Sequence, residues 1–575
     1  MTASHKHSQH NLGAVLRFLG DTLGPDLPFF NLVMIYGVGI GLLSLATPIS
    51  VQLLINTVAY TGLVTPLVVL STSLFVLLAI ASLLNALRIH LMDLFSRRFY
   101  ARMVSEVALR AIYALNPFFE DSRKGTLFNR YFDIVIVTKT VPNLLVGGFT
   151  IVLQMVVGFI LVSLYHPLFL AFNVAILLLV WLIWVVWGRR AMQSAVELSH
   201  RKHGVAAWLE GLGASNGFFK SERHIDYALK HTDEMTEHYI SQHRLHFRHH
   251  FSQTLALLLV YSLASALLLG LGGWLVIRGQ LTIGQLVAAE LVLSVVFVGI
   301  SQLGLYLTYF YDLCAAMDEL SLFYDVEQEA FADGAELQPA HSQLEFVAAE
   351  GVARGIDTQL NFELPAGVTV IAHAREHAPQ RVLCNLLKGH EAPLGGHVLL
   401  GGVDLREIPA HTLRQQVIVL DRPNSVEMSM RELLRLSAHS PEPGEIMATL
   451  AAVGLDTTVG KLKAGLDTVV APSGWPLSIT ETMQLKLASA ILAEPRLLVL
   501  SQLYDVLPDS VLRSAIDLLA ERTNGEATIL FFSAHLPDLP FDHWLLLEAD
   551  RQRLFGSRAP FEEALSQMHT DAAVS

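Results

Sequence analysis

Residues 168–190 read LFLAFNVAILLLVWLIWVVWGRR: a twenty-residue, almost wholly apolar run closed by Gly188 and two arginines. A bilayer's hydrocarbon core, about 30 Å thick, takes roughly 20 such residues as a helix, so the stretch spells a membrane span. Five more stretches qualify: 28–48, 66–87, 143–165, 254–277 and 284–308. The connections alternate. Tyr60 to Thr65, His166-Pro167 and Arg278 to Thr282 are short, whereas the two remaining links are long and have helical character. The long links hold Arg97, Arg98, Arg102, Arg110, Arg123, Lys124 and Arg130, then Arg189, Arg190, Arg201, Lys202, Lys220, Arg223, Arg244 and Arg248, against Arg278 alone in the short ones. Lysine and arginine accumulate on the cytoplasmic side. The long links, both termini and everything after the sixth span are therefore expected in the cytoplasm, with helices running well past the inner membrane surface.

Composition agrees. Of 575 residues, 52% are hydrophobic and 16% charged, where soluble domains carry about 25% charged residues. Residues 341–575 hold 29 acidic against 18 basic side chains, most of the net charge of −13. This soluble, acidic portion excludes a nucleic-acid partner, which would call for a basic face. Cys314 and Cys384 make neither a disulfide framework nor a metal site. The opening MTASHKHSQHNLG has no apolar run, so no cleavable signal is expected. Asn11 to Leu23 is amphipathic and suited to a membrane surface. The expected domains are a tail with an amphipathic helix at 1–27, a six-helix membrane domain at 28–326, a linker at 327–340 and an α/β domain at 341–575.

Several motifs occur together in a telling order. They are Thr47-Pro48 through Asn56, Pro117-Phe118-Phe119-Glu120 with Gly125-Thr126-Leu127 and Arg130, Glu210-Gly211 through Arg223, and Leu281 to Ala288. The soluble portion adds Val368 to Ala372, Leu386-Leu387-Lys388-Gly389, Gly395 to Leu405, Leu466 to Val470 and Pro495 to Leu500. Over residues 10 to 560 the chain resembles a type I ABC exporter half-transporter, nearest the bacterial peptide- and toxin-secretion branch. The resemblance implies a membrane α-helical fold of six transmembrane helices followed by an α/β P-loop-type nucleotide-binding domain. It also implies ATP and Mg as cofactors, a homodimer or a heterodimer with an intact exporter half, a periplasmic adaptor of a type I secretion system as a further partner, and residence in the bacterial inner membrane.

The chemistry departs from that pattern. A phosphate loop, G-x-x-x-x-G-K-[ST], wraps phosphates in backbone N–H groups, neutralises them with Lys and ligates Mg²⁺ through a hydroxyl. Counting back from Gly389, the loop falls at Ala374 to Val382. Ala374, His377 and Pro379 stand at the glycines, Gln380 at the Lys, and Arg381 and Val382 at the hydroxyl positions. Ser501 and Gln502 stand where two carboxylates are implied, and Arg422 at the γ-phosphate-sensing glutamine. Leu477, Ser478, Ile479, Thr480 and Glu481 replace the LSGGQ signature, with Glu481 directing negative charge at phosphate. Only the switch histidine, His535, is retained. No intact catalytic set and no metal site are expected, and no nucleotide is expected to bind tightly.

Three functions remain open. One is a transport subunit with a degenerate, pseudo-ATPase nucleotide-binding domain, exporting a peptide, protein or other amphipathic substrate beside an intact partner. The others are a non-transporting membrane scaffold or regulator of a secretion assembly, and an ordinary ATP-driven exporter.

Overall fold

The computed structural model describes residues 12–60, 64–115, 124–329, 338–423, 425–438 and 441–574. The chain divides into two units, Met1–Glu329 and Ala330–Ser575. Phe118-Phe119 and most of the expected linker lie outside the described residues.

The described residues of the first unit are mainly helical: α1 (Leu12–Leu23), α2 (Leu27–Leu43), α3 (Ala46–Tyr60), α4 (Val64–Ile112), α5 (Phe132–Asn143), α6 (Phe149–Ser163), α7 (Pro167–Ala214), α8 (Glu222–Ile277) and α9 (Ile283–Ser321). Six helical stretches among the described residues are long and apolar enough to cross a membrane. The long links are helix, as their sequence indicates: α7 and α8 run 48 and 56 residues. Their ends follow local chemistry. His166 caps α7 by accepting the Leu168 N–H, with Pro167 at the first helical position, where a missing N–H costs nothing. Thr282 and Gln285 close a reciprocal capping box on α9.

Two spans are less regular than their hydrophobicity suggests. The first is broken at Ser44-Leu45, between α2 and α3, where the Ser44 hydroxyl donates to the Gly41 carbonyl at 2.6 Å and competes with the helical ladder. Pro48 then lies in the first turn of α3. The third carries Pro142 inside α5 and passes through a π-helical turn, Leu144–Gly148, before α6. Pro142 cannot donate to the Thr138 carbonyl; the Ser96 hydroxyl of α4 lies 3.1 Å from it, its one hydrogen shared with the Met92 carbonyl at 2.9 Å. Of the intramembrane polar residues, Glu290 is exposed near the start of α9, and Gln52 accepts the Tyr165 hydroxyl at 3.0 Å. Arg88 is buried, donating to the Val146 carbonyl and to Thr150.

Where α5, α7 and α9 extend beyond the spans, buried charges tie them together. Asp133 receives Lys202 at 2.9 Å and His203 at 2.5 Å. Glu319 receives Arg130 at 2.6 Å and His200 at 3.0 Å, while the second nitrogen of His200 lies 3.1 Å from Asp318. With a carboxylate on each ring nitrogen, His200 sits as an imidazolium donor on both sides.

The second unit begins with β1 (Leu344–Ala353), β2 (Ile356–Leu364), β3 (Thr369–Ala374), α10 (His377–Leu387), β4 (His397–Leu400), β5 (Val403–Asp404), α11 (Ala410–Gln416) and β6 (Val417–Leu420). A helical layer follows: β7 (Met428–Ser429), α12 (Met430–Leu436), α13 (Pro443–Ala452), α14 (Asp456–Lys461), β8 (Val469–Val470) and α15 (Ile479–Leu492). The chain returns through β9 (Leu497–Leu500), α16 (Asp509–Arg522), β10 (Thr528–Phe532), β11 (His543–Leu547), β12 (Gln552–Phe555) and α17 (Arg558–Val574). A mostly parallel sheet runs β12-β11-β3-β10-β9-β6, flanked by an antiparallel sheet β2-β1-β4-β5. Strands β9 and β10 are buried at every position, which is why both read as unbroken apolar runs rather than alternating ones. Their side chains part to two cores. Leu497, Val499, Leu530 and Phe532 pack with α10 and the antiparallel sheet, while Leu498, Leu500, Ile529 and Phe531 pack with the helical layer.

Candidate functional site

Parallel strands place their following loops on one edge, where open α/β sheets form their ligand crevices. Here Phe532 pairs with Ala372, Phe531 with Leu500, and Leu420 with Leu500. The sheet therefore gathers Ala374 onward, Ser533 to His535, Ser501-Gln502 and Asp421-Arg422 along that edge.

At the phosphate-loop position there is little loop. Ala374 ends β3 and α10 starts at His377, leaving only Arg375 and Glu376 between them. Arg375, Glu376 and His377 are exposed, whereas Ala378 and Pro379 are buried under the first turn. Val382 is buried against β1, so closely that a Cβ on Gly351 would come within 2.6 Å of it. The helix keeps its first N–H groups as possible anion donors, but Pro379 removes one and neutral, half-buried Gln380 supplies no charge. His373 does not join His377: its Nδ1 faces the Ser533 carbonyl at 3.3 Å. Among the described residues no cluster of three metal-ligating side chains occurs.

The other strand ends are occupied by contacts within the chain. Ser501 is buried and its N–H donates to the Leu420 carbonyl at 3.1 Å. Its Oγ has no partner among the described residues. Gln502 is half-buried and opens a short 3-10 turn. Asp505 receives the Ser533 hydroxyl at 2.6 Å and the Ala534 N–H at 2.8 Å, so its carboxylate holds the turn that carries His535. The His535 N–H donates to the Ser533 Oγ at 3.1 Å, and the residue is exposed.

Two lysines that sequence reasoning missed secure the loop at Arg422. Lys388 at the end of α10 pairs with Asp421 at 2.6 Å, and Lys486 of α15 donates to the Arg422 carbonyl. Burial holds the Lys486 amine below its ordinary range. Burial also pushes His390 down to about 4, with Lys388, Arg414 and Arg422 adding to the effect. Lys388 belongs to the Leu386 to Gly389 stretch and Lys486 to no motif, and only the fold brings both to this loop.

The signature position lies at the N-terminus of α15, in the helical layer. Leu477 is buried, Ser478 is the N-cap, Thr480 is half-buried and Ile479 is exposed. The carboxylate of Glu481, expected from sequence as a charge directed at phosphate, is engaged within the chain. One carboxylate oxygen accepts the Ser478 N–H at 2.8 Å and the other the Thr458 hydroxyl at 2.7 Å, completing a capping box. The Ser478 N–H, then the Thr458 hydroxyl, hold the carboxyl below its ordinary value.

Known proteins place this geometry. Residues 30–210 match the model of the ABC transporter transmembrane region. A beta-(1→2)glucan export ATP-binding/permease protein of Rhizobium meliloti is 27% identical over 44% of this chain and 45% of its own length. An ATP-dependent lipid A-core flippase of Paraburkholderia xenovorans is 25% identical over 40% of the chain and 39% of its own length. The matched stretch thus spans half or less of these two curated relatives. The solved structure of a bacterial Atm1-family ABC exporter with ATP bound superposes with a TM-score of 0.80 at 17% identity, covering 94% of this chain and 98% of that one. The chain has the ABC exporter fold, with the transmembrane region of that transporter class at residues 30–210 and an α/β region of nucleotide-binding type behind it.

Proposed function

We propose that this chain is an exporter-type membrane subunit whose nucleotide-binding-type region does not hydrolyse ATP. It works beside an intact exporter half to move a peptide, protein or other amphipathic substrate out of the cell. The observation that carries this reading is the β3–α10 junction. A helix beginning after only two intervening residues, with Ala378 and Pro379 buried in its first turn, leaves no glycine cradle for phosphates. The remaining residues do not fit Mg-ATP either. Gln380 brings no charge and Gln502 has no useful proton affinity for a general base. The lipid A-core flippase among its relatives supports an amphipathic cargo. An inner-membrane location with cytoplasmic termini follows from the lysine and arginine bias.

A second reading, a membrane scaffold in a secretion assembly, draws support from Lys388 on Asp421 and Lys486 on the Arg422 carbonyl. These contacts hold the loop after β6 without a ligand. The deciding assay is ATP turnover by the full chain in lipid, freed of other ATPases, alone and with whatever exporter half co-purifies from its own membrane. The proposal expects no turnover alone and turnover in the mixed complex. A robust, His535-dependent rate from the chain alone would overturn it.

A further inference from the structure

At the end of the membrane helices where the connections are short, a groove of about 410 Å³ opens between α6 and α7. That volume falls within the roughly 300–1,000 Å³ of small-molecule sites. Its walls are mostly aliphatic, formed by Val156, Ile160, Leu164, Leu170, Val174 and Leu177 beside Phe159, and no ionisable side chain lines it. Two polar side chains, Ser163 and Asn173, also line it, and one of them is left with an unpaired atom. Asn173 is 2% exposed, and its amide nitrogen donates to the Phe159 carbonyl at 3.1 Å and to the Ser163 Oγ at 3.0 Å. A carbonyl only accepts, so the Phe159 contact settles which end of the amide is nitrogen. The Asn173 oxygen is left buried with no donor.

An unpaired buried acceptor is left without the hydrogen bonds it would make in water, which is unfavourable. Water is a poor remedy, because a bound water needs about 2–4 polar partners and the walls are mostly aliphatic. Asn173 lies six residues beyond Pro167, about 9 Å along α7 at 1.5 Å per residue. The oxygen therefore sits just below the membrane interface, at the depth where the head of an amphiphile joins its chain.

We infer that the α6–α7 groove binds a neutral membrane amphiphile, its alkyl chain against the aliphatic walls and its hydroxyl or amide hydrogen donated to the Asn173 oxygen. The absence of charge selects a neutral head, and the unpaired acceptor selects for a donor rather than for length alone. The site faces the bilayer between two helices of one chain, so loading it requires no ATP chemistry.

The test uses the full chain in vesicles of phosphatidylcholine, a lipid whose head offers no hydrogen-bond donor. The probes are a diazirine-bearing long-chain fatty alcohol and its methyl ether, with labelled peptides mapped after photolysis. The alcohol is expected to label residues 156–164 and 170–177, and the ether to label them at least about fivefold less, the ratio that about 1 kcal/mol of hydrogen bonding gives. Asn173→Leu should equalise the two probes. Val174→Phe, which fills the groove and leaves the Asn173 bonds to α6 in place, should lower alcohol labelling about fivefold even if the first variant fails to fold. Equal labelling by both probes in the unaltered chain would overturn the inference. So would labelling spread evenly over all six spans, or protection of these peptides by a second copy of the chain.

Discussion

Glu481 shows how a side chain's role can invert between motif and structure. Standing where the signature glutamine is implied, it closes the first turn of α15 through Ser478 and Thr458. Replacing it with Ala is expected to cost about 1 kcal/mol, as cap losses do, read as faster amide exchange across Thr482 to Lys486. Because the folded carboxyl is held below its unfolded value of about 4.3, this contribution is complete above that pH. It fades as pH falls through the lower, folded value. His535 supports a second expectation. With Asp505 tied to Ser533 and Ala534, His535→Ala should leave ATP turnover by the chain unchanged at background. Restoring Gln380→Lys together with Gln502→Glu should not raise it, since α10 would still begin at His377. A rate increase of about 10²-fold or more, the scale of one essential electrostatic group, would refute that.

Helices and strands were far more legible than side-chain partnerships. Twenty-residue apolar runs and an excess of arginine in alternate links read directly as spans with long helical extensions, because membrane crossing depends on composition over a whole segment. The break at Ser44 and the π-helical turn after Pro142 depend on one hydroxyl or one missing N–H, which a hydropathy window averages away. The apolar runs Val368 to Ala372 and Pro495 to Leu500 likewise fall on β3 and β9, but do not show that Lys388 and Lys486 would meet the loop at Arg422. Pro142 makes a clean test of such local debts. Ser96→Ala should destabilise the membrane unit by about 1 kcal/mol by removing the hydroxyl that the Thr138 and Met92 carbonyls share. In a Pro142→Ala background, where the backbone again has a donor, the same change should cost no more than about 0.3–0.5 kcal/mol. Thermal unfolding of the four variants in lipid completes the cycle.

At the scale of the whole chain, the reading depends on which side of the membrane each link occupies. Impermeant labelling of single-cysteine variants should reach position 278 from outside the cell and position 124 only after the membrane is opened. The reverse pattern would reject the six-span orientation. In the soluble unit, the division of β9 and β10 between two cores has a consequence in time rather than in space. An amide of Leu498 to Leu500 can meet solvent only when the packing on both faces has failed, so its exchange should mark the slowest opening of the unit. The loops at Ser501, Ala374 and Asp421 sit past the ends of those strands and open on their own, faster schedule. A lineage can then replace the residues of the faster schedule one after another while the slow clock of the sheet keeps running at the same rate.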